Sequence, residues 1–245
     1  MIKAAIFDLD GTLVQTEILK AKSYAEAAIQ LSENRLSESE IIAAFKNVVG
    51  LSRREVAIHL MNEFGLQNAA QKRMEDFGVT TPWQAFVQLR LKVYQTFLNE
   101  PAILKSYRCP YNLDLLKTVR KKGLKTGLAT MSHCEQTGKV LDILELKNMF
   151  DFVATRDDVD AGKPDPEIYL LVASQLQMKP EVCLVIEDSV NGIKAALSAG
   201  MNCLAVTSDF TRESVHKSKV LDEKWIIDHP RRLLATAEQR MAEIL

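Results

Sequence analysis

The chain has almost no excess charge, few cysteines and no long apolar run, and each shortage removes a class of function. A formal net charge of −1 leaves no electrostatic footprint for a nucleic-acid partner. The short basic clusters Arg120-Lys121-Lys122 and Arg231-Arg232 read as solvated helix ends. Nothing in the sequence is long and apolar enough to span a membrane, so no membrane partner is expected. Met1-Ile2-Lys3 leads straight into a short apolar run rather than into a secretory signal, which points to a cytoplasmic protein. Cys109, Cys134, Cys183 and Cys203 lie far apart with no C-x-x-C spacing, as expected of reduced thiols rather than a disulfide framework or a zinc site. The four histidines form no H-x-x-x-H or H-E-x-x-H pair, so a transition-metal site is not expected. There is no internal repeat and no low-complexity stretch, and a monomer is the expected state.

What the chain does have is enough apolar residue for a proper core: 47% hydrophobic and 26% charged over 245 residues. Lys3 to Leu9 is a short apolar run typical of a buried parallel strand. From Thr16 to Leu104 the pattern is helical almost throughout. Strands and helices then alternate, with strands expected at Lys125–Ala129, Phe152–Ala154, Val182–Ile186 and Cys203–Val206 and a weaker edge strand at Trp225–Ile227. Helices are expected at Leu113–Lys122, Glu135–Leu144, Glu167–Gln177 and Val190–Ala199. Such alternation predicts an α/β fold, a Rossmann-like parallel sheet covered on both faces. The helical block interrupts it, so residues 1–15 and 105–245 are expected to form the core and 16–104 an inserted α-helical cap. Within that block, residues 71–82 read as an extra loop.

Four motifs sit at the carboxyl ends of expected strands, where open parallel sheets bind ligands. Asp8-Leu9-Asp10-Gly11-Thr12 places two carboxylates ahead of a glycine that permits a sharp turn. On its own this is also an ordinary Asp/Gly turn. Thr130-Met131-Ser132 offers hydroxyls and backbone N–H groups to a phosphate, although such residues also cap helices. In Gly162-Lys163-Pro164-Asp165-Pro166, Asp165 suits an N-cap and Pro166 the first helical position. Lys163 is thereby placed just ahead of a helix N-terminus, where an anion would be favoured. Glu187-Asp188-Ser189 ends a buried strand with two adjacent acids that would repel one another without a cation, and magnesium takes such oxygen ligands.

Taken together, FDLDGT, T-x-S, GKP and EDS in this order resemble the haloacid dehalogenase-like hydrolase superfamily, nearest its β-phosphoglucomutase-like and sugar-phosphate phosphatase branch. The resemblance implies a Mg2+-dependent phosphatase acting on a small phosphorylated metabolite, foremost a sugar phosphate. It makes Asp8 the nucleophile that becomes an aspartyl-phosphate and Asp10 the general acid and base. Thr130, Met131, Ser132 and Lys163 would hold the phosphoryl group, with Lys163 also restraining Asp8. Asp8, the Asp10 carbonyl, Glu187 and Asp188 would hold the metal. Gly50-Leu51-Ser52-Arg53 resembles the branch's substrate-specificity loop, so Arg53 is a candidate substrate contact, set against a plain solvated arginine.

Single residues separate the relatives. Asp10 argues against dehalogenase chemistry, and Arg53 stands where a phosphonatase would need a Schiff-base lysine. The same resemblance leaves a β-phosphoglucomutase-type phosphomutase as the alternative, although Lys20 occupies the place of the mutase's histidine. A non-catalytic binding protein fits least, because every motif residue is present.

Overall fold

In the computed structural model, which describes residues 1–49 and 51–243, the first apolar run forms β1, Ala4–Phe7, every residue of it buried. Four more runs become β2 (Lys125–Ala129), β3 (Phe152–Ala154), β4 (Cys183–Glu187) and β5 (Asn202–Val206), and a short β6 (Ile226–Ile227) completes the sheet. The order is β3-β2-β1-β4-β5-β6 and every pairing is parallel. This is a doubly wound α/β sheet. The order in which strands are added reverses between β1 and β4, which places the ligand crevice at their carboxyl ends. Such a sheet must be buried on both faces, which is why its strands are nearly unbroken apolar runs.

By its internal packing the chain divides into two units, Met1–Gln15 with Leu104–Leu245, and Thr16–Ile103. In the first, Ile6, Val185 and Cys203 from the sheet and Ile168, Tyr169, Val172 and Ile193 from covering helices belong to one buried cluster. The second unit is helical, with helices at Thr16–Leu31, Glu38–Lys46, Arg53–Phe64, Gln67–Lys72 and Pro82–Asn99. Ser37 with Glu40 and Ser52 with Glu55 form capping boxes that fix two of the helix starts. The segment read as an extra loop contains the end of helix Gln67–Lys72 and a single 3-10 turn, Glu75–Phe77. No helix among the described residues is long and apolar enough to cross a membrane.

Near the carboxyl ends of β5 and β6, His216 lies between two carboxylates, Nδ1 at 2.9 Å from Glu223 and Nε2 at 3.1 Å from Asp228. Hydrogen bonds with Asp228 and then Glu223 raise its pKa. A raised folded-state value means the imidazolium stabilises the fold fully below the unfolded value of about 6.5 and loses that stabilisation as pH rises through the folded value. We therefore expect His216→Gln to lower the thermal midpoint at pH 6 and to have little effect at pH 9. Equal effects at both pH values would mean that the charge of His216 contributes nothing.

Candidate active site

The site begins where β1 stops. Asp8 is the first residue beyond the strand, and its N–H donates to the Ile186 carbonyl on neighbouring β4. The chain then turns sharply at Gly11, whose φ is +88°. A side chain there would be strained, and its Cβ would lie 2.1 Å from Asp188 Oδ2. Glycine is thus required twice, for the turn and for the approach of the Asp188 carboxylate.

Lys163 ties the motifs together. Its side chain is 5% exposed, and its ammonium donates to Asp8 Oδ1 at 2.7 Å, Glu187 Oε1 at 2.7 Å and the Ala129 carbonyl at 3.0 Å. Three donors meet three acceptors, drawn from the ends of β1, β4 and β2. The positive charge therefore lies between two buried carboxylates. Neither residue of the Asp165-Pro166 pair takes its expected place: the helix begins at Glu167 with Pro166 as its N-cap, and Asp165 lies one position further out, its Oδ1 accepting from the N–H of Glu167.

Glu187 is saturated. Its Oε1 also accepts from the buried Tyr169 hydroxyl at 2.9 Å, and its Oε2 accepts from the N–H groups of Asp188 and Ser189 and from the Ser189 hydroxyl. Burial alone would raise its pKa, but the charge and hydrogen bond of Lys163 and the bonds from Ser189 and Tyr169 bring it below the ordinary value. The Ser189 hydroxyl also caps the helix Val190–Ser198, accepting from Gly192. Gly192 packs directly on the carboxylate; a Cβ there would lie 1.8 Å from Glu187 Oε1. Gly192→Ala is therefore expected to displace Glu187, costing roughly 1–3 kcal/mol of stability and loosening Lys163. Urea unfolding of the variant checks this, and a midpoint equal to wild type would show that the packing yields freely.

Asp8 behaves differently. Oδ1 is engaged by Lys163, whereas Oδ2 is buried with no partner among the described residues. Burial pushes its pKa up to about 7, with Lys163 opposing and Glu187 and Asp10 adding to the rise. A buried carboxylate with one orphaned oxygen asks for a cation or a reaction partner. Asp8, Glu187 and Asp188 offer carboxylate oxygens within 4.8 Å of one another. An all-oxygen set of this kind suits a hard divalent cation such as magnesium. Because both Glu187 oxygens already accept protein hydrogen bonds while Asp8 Oδ2 accepts none among the described residues, Asp8 stands closer to that task than Glu187.

The remaining sequence candidates gather around Asp10. Its Oδ2 accepts from the Ser132 hydroxyl at 2.6 Å and the Thr130 hydroxyl at 3.2 Å, and Thr130 Oγ1 accepts from the Ser132 N–H. The hydroxyls expected to hold phosphate are thus turned onto the second carboxylate. Met131 packs its side chain against the core, leaving its backbone as the polar contribution. Arg53 belongs to the helical unit, where it is the exposed first residue of helix Arg53–Phe64, behind the capping Ser52. Gly50, the first residue of that candidate loop, lies outside the described residues.

Sequence reasoning missed Tyr169, because a tyrosine on the inner face of a helix looks like any core aromatic. It also missed the Ala129 carbonyl, which has no side-chain signature.

With this geometry in place, similarity to known proteins is informative. Residues 2–200 match the haloacid dehalogenase-like hydrolase family. A phosphorylated carbohydrates phosphatase of Thermotoga maritima is 30% identical over 200 residues, 82% of each chain. A phosphoglycolate phosphatase of Salmonella paratyphi A is 30% identical over 207 residues, 84% of this chain and 81% of its own. Among solved structures, β-phosphoglucomutase from Clostridium difficile is 25% identical, with a TM-score of 0.69 over 99% of this chain and 98% of its own. A hydrolase of the same family from Deinococcus radiodurans has a TM-score of 0.73 over 100% of this chain and 97% of its own, at 23% identity, and shows the shared fold. The match over most of the sequence, on a doubly wound sheet with acids at its switch point, makes this chain a member of the haloacid dehalogenase-like hydrolases.

Proposed function

We propose that the protein is a magnesium-dependent phosphatase that hydrolyses a small phosphorylated metabolite, foremost a sugar phosphate, through an aspartyl-phosphate on Asp8. The observation that carries this reading is the state of Asp8: one oxygen held by Lys163, the other buried and without a partner among the described residues. Asp8 attacks phosphorus while the alkoxide leaves with a proton from Asp10. Asp10 then takes a proton from water, whose oxygen attacks the phosphorus, releasing phosphate and restoring Asp8. Lys163 keeps Asp8 oriented and offsets its charge, and Glu187 with Tyr169 keeps Lys163 in place. Thr130 and Ser132 hold Asp10 in the free site; on substrate binding their hydroxyls would turn from Asp10 to the phosphoryl oxygens, with the Met131 backbone beside them.

Asp8, the Asp10 carbonyl and Asp188 would hold the cation, with Glu187 behind them; when bound, it neutralises charge on the phosphoryl oxygens. Catalysis then rests on alignment and charge, supplied by groups fixed before substrate arrives. The names of the Thermotoga and Salmonella relatives support a phosphorylated small molecule as substrate. Arg53 is the candidate contact for the part of the substrate beyond the phosphoryl group.

The test is phosphate release from a panel of phosphorylated metabolites, with magnesium and with EDTA. The panel includes β-glucose 1-phosphate, with glucose 6-phosphate followed separately. Release that requires magnesium supports the phosphatase. Conversion of the glucose phosphate without release would replace it with a phosphomutase, a reading favoured by the structural likeness to β-phosphoglucomutase.

A further inference from the structure

Arg156-Asp157-Asp158 is a run of charge that any surface turn could carry. In the structure it forms a single 3-10 turn after β3, and each of its side chains holds something different. Asp158 closes the turn on itself, its Oδ2 accepting from the Thr155 N–H at 2.8 Å and the Thr155 hydroxyl at 2.7 Å. Arg156 reaches forward along the chain, its guanidinium donating to the Val159 carbonyl at 2.6 Å and the Asp160 carbonyl at 3.2 Å. The N–H groups of Asp160 and Ala161 donate to the Glu167 carboxylate at 3.1 and 2.8 Å. The stretch that leads into Lys163 is therefore held from both sides, its carbonyls by the turn and its N–H groups by the helix that follows.

Asp157 reaches a different loop. Its Oδ2 accepts from the Cys134 N–H at 2.8 Å, and its Oδ1 lies 2.6 Å from His133 Nδ1. Cys134 is the first residue of helix Cys134–Ile143, and His133, the N-cap, makes no side-chain capping bond itself. A helix start is ordinarily satisfied by the side chain of its own N-cap residue. Here the acceptor comes from 23 residues away, so it also ties the helix start to the end of β3. The bond from the Cys134 N–H, and after it His133, hold the Asp157 carboxyl below the ordinary carboxylate range, so the acceptor is charged at neutral pH.

Capping alone would explain the bond to Cys134. It does not explain which loop is fastened. Thr130–Cys134 carries the two hydroxyls that rest on Asp10. Along that loop the Thr130 N–H donates to the Ala154 carbonyl at 3.0 Å, and the Arg156 N–H donates to the Ser132 carbonyl at 3.1 Å. Met131 lies against Gly162, where a Cβ would be 3.2 Å from Met131 Cε. The hydroxyl loop and the lysine loop thus share one support, and from that support Asp157 extends its carboxylate to the far end of the hydroxyl loop.

We propose that Asp157 is a positioning residue: it locks the hydroxyl loop Thr130–Cys134 in register with the loop that delivers Lys163. It acts through Thr130 and Ser132 and takes no part in bond making. Its effect on turnover rests on the phosphatase reading above; the brace itself does not.

The first test needs no turnover. Amide hydrogen exchange is followed by NMR in wild type, Asp157→Ala and Asp157→Asn. Cys134 loses its acceptor in Asp157→Ala, and its exchange is expected to quicken about tenfold or more. The deciding amide is that of Ser132, which donates to Thr130 Oγ1 rather than to Asp157. If the loop is braced, this amide quickens about threefold or more as well. Asparagine can rebuild both bonds, its oxygen accepting from the Cys134 N–H and its amide donating to His133 Nδ1. Asp157→Asn should therefore return both rates to near wild type. A Ser132 rate unchanged in Asp157→Ala overturns the proposal and leaves Asp157 as a helix cap.

The second test is kcat/KM with magnesium for the best substrate of the metabolite panel, well below the thermal midpoint of every variant. Asp157→Ala is expected to lower it about tenfold or more, and Asp157→Asn less than about threefold. A loss of stability alone would leave the value for folded protein unchanged. Equal kcat/KM in wild type and Asp157→Ala would overturn the positioning role even where the loop loosens. A wild type that releases phosphate from no ester sinks the phosphatase reading instead, while the Ser132 exchange rate still decides the brace.

Discussion

Asp8→Asn is expected to remove magnesium-dependent phosphate release by roughly 10^4-fold or more while the protein stays folded. The amide has the same shape and can still accept from Lys163, so the bond made by Asp8 Oδ1 survives. What disappears is the charged oxygen that would bond to phosphorus and, beside it, a ligand for the cation. Because burial disfavours the ionised form of Asp8, the exchange removes a group that is costly to keep charged. The thermal midpoint without metal should therefore equal or exceed that of wild type at pH 8. Phosphate release and a melting curve on the same preparation check both halves. Residual turnover above about 1% of wild type would mean that the phosphoryl group does not pass through this carboxylate.

Lys163→Met should behave in the opposite way and damage the fold itself. Lys163 is the counter-ion shared by Asp8 and Glu187 and closes the Ala129 carbonyl as well. Removing it leaves two buried carboxylates facing each other, and breaking a buried pair from one side costs about 3–5 kcal/mol. Glu187 suffers most, since Lys163 is the main influence holding its pKa down against burial. Activity should fall together with stability. Adding Glu187→Gln to Lys163→Met should recover more than about 1 kcal/mol, because the second change removes the stranded charge. Urea unfolding of the two single variants and the double variant gives this coupling directly. Simple additivity would show that the two groups do not depend on one another.

These expectations depend on contacts that vary in how far the sequence reveals them. Asp8, Asp10, Thr130, Lys163, Glu187 and Asp188 could be read from the chain, since each stands in a short motif at the end of an apolar run. A parallel sheet brings strand ends to one edge whatever lies between them in sequence. The strand positions were legible for the same reason: a strand buried on both faces must be apolar throughout. The small offsets, such as β4 ending at Glu187 rather than Ile186, come from ladder pairing, which is indifferent to side-chain polarity.

The pairing of the polar groups was legible only for Lys163 and Asp8, and there through the family resemblance. Nothing in the chain says that Lys163 also reaches Glu187, or that Ser132 and Thr130 rest on Asp10. Tyr169 and Gly192 show the same limit. One is a core aromatic by pattern and a hydrogen-bond donor in fact; the other is a helix residue whose missing Cβ makes room for a carboxylate.

The sequence by itself determined the class of this protein, because alternating apolar runs and acid-bearing strand ends admit few other folds. Tertiary structure alone decided how charge is distributed: Lys163 shared by Glu187 as well as Asp8, and Asp8 with one oxygen unmet among the described residues. The physical reason is that motif spacing fixes where a side chain leaves the backbone. Which partner it reaches is set by packing between segments distant in sequence, where burial makes each unmet charge costly.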